Sequence, residues 1–452
     1  MGWDAQFADR VEKGDLVIGV IGLGYVGLPT ALGFYNSGFT IWGVEKSKSK
    51  LSDLLQQKNP IKEKKYDNFI PDPRDRRWNI TDSYSKSIPE CDVIVVTVPT
   101  PVTNQKQTDT SFVIEAGKSI FPNISKGSRT IVILESTVYP GLTSNLWNPI
   151  IEEAGLKLGV DVDLAYCPER YSPGEESMSL EAISRIIGAQ NSEIGLSLTT
   201  LYGKLTEGEV TFVGPIEIAE SAKLIENVQR DINIALVNEL AIILPKLGVD
   251  IEDVLDAAST KWNFHRYTPG LGVGGHCIPV DPYFLIDQAQ LINSPVNLIS
   301  SGRKINSSMP NHVANEIRRV LENFEIQTEG ANVLILGWSY KPGIGDDRGS
   351  PSNELSVEMT SQGISTYCWD PYVDNSIFPD HITPITSIED AKNLDMIVIA
   401  TAHPEFIELD WESLLYSMRN PILYDSRRCI DIDYLEEIGW NSFAIGKPTF
   451  ID

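Results

Sequence analysis

The chain has 452 residues, 42% of them hydrophobic, with 62 acidic against 37 basic side chains and a formal charge of −25. That length supports two or three domains with cores of their own, and such acidity argues against nucleic acid or anionic membrane as a partner, because phosphate surfaces are gripped by clustered Lys and Arg. Five scattered cysteines without C-x-x-C spacing, five histidines without H-E-x-x-H spacing and the lack of any signal-peptide pattern or apolar run of ~18 residues lead us to expect a cytoplasmic protein with no metal and no membrane span.

Residues 1–14 read as a polar amphipathic leader before a first strand, Leu16 to Ile21. GLGYVG follows, then an apolar helix pattern from Leu28 to Tyr35 and a second strand from Thr40 to Val44. This is a βαβ unit carrying G-x-G-x-x-G at Gly22, Gly24 and Gly27, with Glu45 about 20 residues further on, which is the context a dinucleotide fingerprint requires. The glycines permit a tight turn and close backbone approach, so that amides around Tyr25 and Val26 at the helix N-terminus can face a pyrophosphate. Glu45 would accept from both ribose hydroxyls and repel a 2′-phosphate, favouring NAD over NADP. A glycine turn that serves only packing is the competing reading, and Lys50 suits either a ribose or solvent.

Lys58 to Trp78 is polar and Pro-rich and reads as a surface excursion. Strands resume at Asp92 to Val98 and Thr130 to Leu134, ending in VPTP and ESTVYPG. Ligands of open α/β sheets bind beyond the carboxyl ends of the strands, so Thr100, Ser136 and Thr137 either reach a nicotinamide or are ordinary strand-end residues. A strand near Val162 to Tyr166 is followed by CPERYSPGE, which brings Glu169 and Arg170 to a similar level.

From about Gly214 the βα rhythm gives way to one long helix, Glu217 to roughly Leu247. Lys223, Asn227 and Arg230 stand at i, i+4 and i+7, while Leu224, Val228, Ile232 and Leu236 mark an apolar face. Such a helix suits a central connector and a dimerisation surface, and its polar row is either functional or solvated. Next comes LGVGGHCIPVDPYFL, Leu271 to Leu285, where Gly272, Gly274 and Gly275 surround a lone Cys277 with Asp281 four residues on. Pro279 fits the first turn of a helix starting just after the cysteine, and a thiol at a helix N-terminus ionises more easily. An inert buried cysteine in a Gly/Pro loop is the alternative.

Arg303 to Pro310 starts another helix, and a second α/β run has strands at Asn332 to Leu336, Ser365 to Trp369, Asp395 to Ala400 and Pro421 to Tyr424. Its first turn, GWSYKPGIGDDRGS, lacks G-x-G-x-x-G and offers Lys341 and Arg348, so it should grip a different ligand. The expected fold is α/β: two Rossmann-like doubly wound domains, 1–213 and 329–452, joined by a central helical domain, 214–328, with a long connector helix and a dimerisation region.

Taken together, GLGYVG, VPTP, ESTVYPG, CPER, the Lys223 to Arg230 helix, GVGGHCIPVDP and SYKPGIGDDRGSP resemble the UDP-glucose/GDP-mannose dehydrogenase family, in order and over nearly the whole chain. The resemblance implies a nucleotide-sugar 6-dehydrogenase that oxidises a C6 alcohol to a carboxylate with two NAD in succession, as a homodimer or higher homo-oligomer. It makes Cys277 the thiolate that holds the sugar between oxidations, Lys223 and Asn227 the stabilisers of developing oxyanions, and Asp281 and Glu169, the latter through a water held with Thr137, the acid–base candidates. Lys341 and Arg427 would contact the diphosphate or uridine of a UDP-sugar. Arg170, Tyr171 and Arg230 would face the sugar, with Gly274 leaving room for it; Arg266 would reach a neighbouring subunit's site and Arg348 would reach NAD. GGHCIPVDPYFL, through His276 and Val280, is similar to the branch acting on UDP-N-acetylhexosamines, without separating glucosamine, mannosamine and galactosamine. The rivals are a UDP-glucose 6-dehydrogenase, a single-step β-hydroxyacid-type dehydrogenase that needs no cysteine, and a non-catalytic NAD-responsive protein.

Overall fold

The computed structural model describes residues 3–61, 66–103, 106–170 and 182–448. The chain divides into two compact units, one made of Met1–Glu226 with Tyr283–Ile292, the other of Asn227–Pro282 with Asn293–Asp452.

In the first unit, near-continuous apolar runs such as VIVV and TIVIL form strands buried on both faces, as a parallel sheet covered by helices requires. The strands are β1 (Val17–Ile21), β2 (Thr40–Val44), β3 (Trp78–Thr81), β4 (Val93–Val96), β5 (Thr130–Leu134), β6 (Val162–Tyr166), β7 (Arg185–Ala189) and β8 (Val210–Gly214). They lie in the order β3-β2-β1-β4-β5-β6-β7-β8, parallel except where β7 meets β6. The order reverses between β1 and β4, so the loops following those two strands open the crevice in which ligands of such sheets bind.

One expectation is extended here and one needs correction. The leader is an 11-residue helix, Trp3–Lys13, that buries Phe7 and Val11 in the core and pairs Arg10 with Asp92 at 2.6 Å. The segment from Lys58 to Trp78 is not wholly a surface excursion: Ile61 and Ile70 are buried and Trp78, 1% exposed, opens β3. Its polar composition hid three widely spaced apolar anchors.

The second unit carries β9 (Asn332–Leu336), β10 (Ser365–Trp369), β11 (Ile382–Pro384), β12 (Met396–Ile399), β13 (Ile422–Asp425) and β14 (Asn441–Ala444), all parallel, in the order β11-β10-β9-β12-β13-β14. Strand for strand this repeats the 3-2-1-4-5-6 order of the first sheet. The repeat extends to single residues. After β1, Gly22 takes a φ of 89° and a Cβ there would lie 3.2 Å from the carbonyl of Thr97; after β9, Gly337 takes 98° and would meet the Thr401 amide at 2.8 Å. Only glycine meets both demands.

The long helix, Ile216–Ile243, passes from the first unit to the second at Glu226 and Asn227. In the second unit it packs against the helix Asn297–Asn323, which begins six residues before the expected Arg303. Between these helices Arg303 donates to Asp231 at 2.6 Å, Asn306 donates to Asp231 at 2.8 Å, and Asn238 donates to Asn306 at 2.9 Å. Asn238 also accepts the amide of Gly270 at 2.9 Å, which ties the buried network to the start of the Cys277 loop. No single helix among the described residues is long and apolar enough to cross a membrane.

Candidate active site

The glycine turn after β1 is shaped as a phosphate cradle. A Cβ at Gly27 would stand 1.8 Å from the carbonyl of Gly22, so the third glycine lets the helix Gly27–Asn36 start directly against the turn. At Gly24, by contrast, the nearest atom to such a Cβ is Lys50 Nζ at 3.9 Å, so the middle of the turn faces open space with an ammonium beside it. Thr97, following β4, donates its hydroxyl to the carbonyl of Gly22 at 2.7 Å and locks the turn. Glu45 is buried at the end of β2, where Oε2 accepts the amide of Leu23 at 3.0 Å and Oε1 that of Ser47 at 2.8 Å. A carboxylate has about four acceptor positions, so two remain for a diol. The residues present fit a dinucleotide with an unphosphorylated ribose. Thr100 and Thr137 are half-buried on the loops after β4 and β5, which Ser136 joins by donating to the carbonyl of Val98 at 2.6 Å.

Beyond β6, Glu169 is buried and ion-paired with Arg185 Nη2 at 2.8 Å, while its other oxygen accepts the amide of Arg170 at 2.7 Å. Arg170 is held by Glu226 at 2.6 Å and by the carbonyl of Ser184 at 3.1 Å. Lys223 is buried on the long helix. One turn before it, Glu220 is fully buried and accepts the amide and hydroxyl of Thr143 at 3.0 and 2.6 Å, fixing that part of the helix to the segment that follows ESTVYP. Tyr171 lies outside the described residues.

In the second unit Cys277 is exposed, whereas Cys91, Cys167 and Cys368 are buried and Cys429 is half-buried. The inert buried reading of Cys277 is therefore set aside. The cysteine carbonyl accepts the amides of Val280 at 3.0 Å and Asp281 at 2.8 Å, so thiol and carboxylate sit on one tight turn. Asp281 is 2% exposed and accepts the side-chain amide of Asn227 from the long helix. The helix begins at Asp281 and not just after the cysteine, with Pro282 as its second residue and Pro279 in the preceding turn. Cys277, Asp281 and Asn227 are thus brought together, and Lys223 is one helical turn from Asn227.

The side-chain space at Gly274 points at Tyr340 and Gly349 of its own unit, 2.5 and 2.9 Å from a would-be Cβ, and Gly275 donates to the carbonyl of Arg348 at 3.0 Å. The glycines here let the cysteine loop pack on the loop after β9, in place of the expected room for a sugar at Gly274. That second loop carries half-buried Lys341, and Arg348, whose guanidinium meets Asp346 at 2.8 Å. Arg427, after β13, donates to the carbonyl of Ala400 at 2.6 Å, with Nη1 against Gly270. Arg266 is paired with Glu252 and Asp256 of its own unit. Arg230 is exposed; the buried polar residues of the long helix are Glu220, Lys223, Asp231 and Asn238, with half-buried Asn227 between them. Among the described residues no group of three or more His, Cys, Asp or Glu is arranged to hold a metal ion.

Sequence reasoning missed Glu135, Arg185, Glu220, Asp231 and Arg303. The signals were present: Glu135 ends and Arg185 opens an otherwise apolar strand run, and Glu220 and Asp231 extend the 3.6-residue spacing of Lys223 and Asn227.

Comparison with known proteins agrees with this geometry. Residues 16–206 match the NAD binding domain, residues 217–308 the central domain and residues 334–432 the UDP binding domain of the UDP-glucose/GDP-mannose dehydrogenase family. The chain is 35% identical over 431 residues to UDP-N-acetyl-D-glucosamine 6-dehydrogenase of Pseudomonas aeruginosa, covering 93% of this chain and 98% of that protein. It is 34% identical over 414 residues to UDP-N-acetyl-D-mannosamine dehydrogenase of Pyrococcus horikoshii, covering 91% and 96%. The solved UDP-D-ManNAc dehydrogenase structure from P. horikoshii superposes with a TM-score of 0.86 at 31% identity, covering 96% of this chain and 100% of that one.

Proposed function

The chain belongs to the UDP-glucose/GDP-mannose dehydrogenase family, whose members are NAD-dependent, and on that premise we propose that it oxidises C6 of a UDP-N-acetylhexosamine to the uronate through a covalent intermediate on Cys277. The observation that carries this reading is the exposed Cys277 on one turn with buried Asp281, itself bonded to Asn227. Two oxidations at one carbon without loss of the aldehyde need a tether, and a thiolate provides it.

Gly22, Gly24, Gly27 and Glu45 would hold NAD, which when bound would supply the hydride acceptor for each oxidation. A base first removes the C6 hydroxyl proton. The Cys277 thiolate then forms a C–S bond to the aldehyde carbon, and Lys223 and Asn227 donate to the oxyanion that results. The second oxidation leaves a thioester. Water, deprotonated by Glu169 or Asp281, attacks the acyl carbon, the C–S bond breaks and the thiolate is restored. Overall one alcohol and one water yield one carboxylate, with two hydrides removed. Lys341 and Arg427 neutralise the diphosphate of the substrate; Arg170 and Arg230 face the sugar; Arg348 serves the cofactor; and Arg266, on an exposed segment, acts toward a second copy. Ile225, Leu236 and Ile243 are 58, 54 and 45% exposed on the long helix, which supports a homodimer built on it. Five cysteines without a disulfide fit a cytoplasmic setting.

A panel of UDP-sugars assayed by NADH absorbance tests the assignment. UDP-N-acetylglucosamine or UDP-N-acetylmannosamine should turn over with two NADH per uronate and outpace UDP-glucose. Preference for UDP-glucose, or one NADH per sugar, would overturn it.

A further inference from the structure

Glu169 sits in surroundings unlike those of a solvated acid. Arg185, which opens β7, is 1% exposed and faces two carboxylates: Nη2 is 2.8 Å from Glu169 Oε2, and Nη1 is 3.6 Å from Glu135 Oε1. Glu135 directly follows β5 and is buried, with Oε1 accepting the phenol of Tyr202 at 2.7 Å and Oε2 the hydroxyl of Thr30 at 3.4 Å. The segments after β5 and β6 and the helix Ser192–Tyr202, whose Tyr202 ring lies 5.5 Å away, therefore meet one guanidinium. The other titratable or charged groups facing this cluster are Cys167, fully buried beside Arg185, and Arg170, whose amide donates to Glu169 and whose guanidinium pairs with Glu226.

One buried cation can balance only one of two buried anions. The share of the Arg185 field that reaches Glu169 thus depends on the charge of Glu135. An arginine is always ionised and its planar fork fixes the direction of each N–H, so it also orients the carboxylate it holds. We propose that Arg185 and Glu135 are positioning residues for Glu169: Arg185 orients its carboxylate, and Glu135, when ionised, competes with Glu169 for the arginine. The inference rests on the acid–base role given to Glu169 above. In the hydrolytic step the proton goes from water to Glu169 and on to solvent, with no change of oxidation state. Burial, reinforced by the charge of Glu169, pushes Glu135 up to about 7 against the pull of Arg185, so the arrangement is responsive near neutral pH.

The test is the pH profile of kcat with the UDP-sugar that turns over, together with an infrared titration of the protonated-carboxyl band assigned by its loss in Glu169→Gln. Glu135→Gln keeps the acceptor for Tyr202 but removes the competing charge. Because Glu135 ionises near pH 7 and then competes with Glu169 for Arg185, wild-type kcat should carry an inflection near pH 7 that Glu135→Gln loses. Arg185→Met, which takes the cation from Glu169, should move the acid limb of kcat and the Glu169 band up by roughly 1–3 pH units, and Arg185→Lys should restore most of the shift; a merely structural role would lower kcat at every pH and move neither. If Arg185→Met does not fold, Glu135→Gln decides alone. A folded Glu135→Gln enzyme that keeps the inflection near pH 7 overturns the positioning role, while a Glu169→Gln enzyme with normal turnover overturns the role of Glu169 itself and this proposal with it.

Discussion

Asn227 donates its side-chain amide to the carboxylate of Asp281, whose own backbone amide donates to the carbonyl of Cys277 at 2.8 Å. The long helix thereby fixes the turn on which the thiol stands. Asp281 is acceptor and turn anchor at once, and its burial leaves it few ways to relax if the amide is removed.

Asn227→Ala and Asp281→Ala should each lower kcat by about 10²–10³, the usual loss on removing one stabilising donor from an active site. Because the two act as one unit, the double variant should lose little more than the worse single one. Steady-state kinetics of the three variants measure this; full additivity would show that the residues act separately.

Glu45 anchors the glycine turn through Leu23 and Ser47 while offering its remaining lone pairs to a diol. Glu45→Ala should raise KM for NAD at least tenfold, with kcat changed much less, because the lost interaction is shared by ground and transition states. Glu45→Ser should also narrow the preference over NADP by relieving repulsion of the 2′-phosphate. Initial rates with both cofactors read this out.

Glu135 is raised to about 7 by burial and by Glu169, whereas an unfolded glutamate titrates near about 4.3. The native state therefore binds this proton more tightly, and its stabilising contribution is full below about pH 4.3 and lost as the pH rises through about 7. Glu135→Gln cannot titrate. Urea denaturation of both proteins at pH 5 and pH 8 should show the variant gaining on the wild type by the order of 1–3 kcal/mol across that interval.

Asp231 and Arg303 form a buried pair joined by Asn306. Removing one partner leaves a buried charge uncompensated, so Asp231→Ala should destabilise by about 3–5 kcal/mol, whereas Asp231→Leu with Arg303→Met should lose much less. Thermal denaturation of the single and double variants separates the two outcomes.

What was legible in the sequence was what lies close along the chain. The turn, helix and acid of the cofactor cradle fall between Gly22 and Glu45, and the cysteine and its carboxylate are four residues apart, so spacing marked both stretches, while the role of Cys277 came from the family resemblance. Arg185 meets Glu135 and Glu169 from 50 and 16 residues away, and Asp231 meets Arg303 across 72, separations that no periodicity bridges. The helix start after Cys277 was misplaced because Pro279 and Pro282 satisfy the same N-terminal preference, and only the tertiary turn selects the second. The glycines of that loop were visible but not their purpose, since Tyr340 lies more than 60 residues on. Arg230 was included by helical spacing; it is exposed, and its neighbour Asp231 is buried.

The covalent role of Cys277 is tested most directly by quantifying NADH and uronate from Cys277→Ala with a UDP-N-acetylhexosamine and excess NAD. The mechanism predicts a folded enzyme that forms no uronate; uronate formed at two NADH per sugar at the wild-type rate would contradict it.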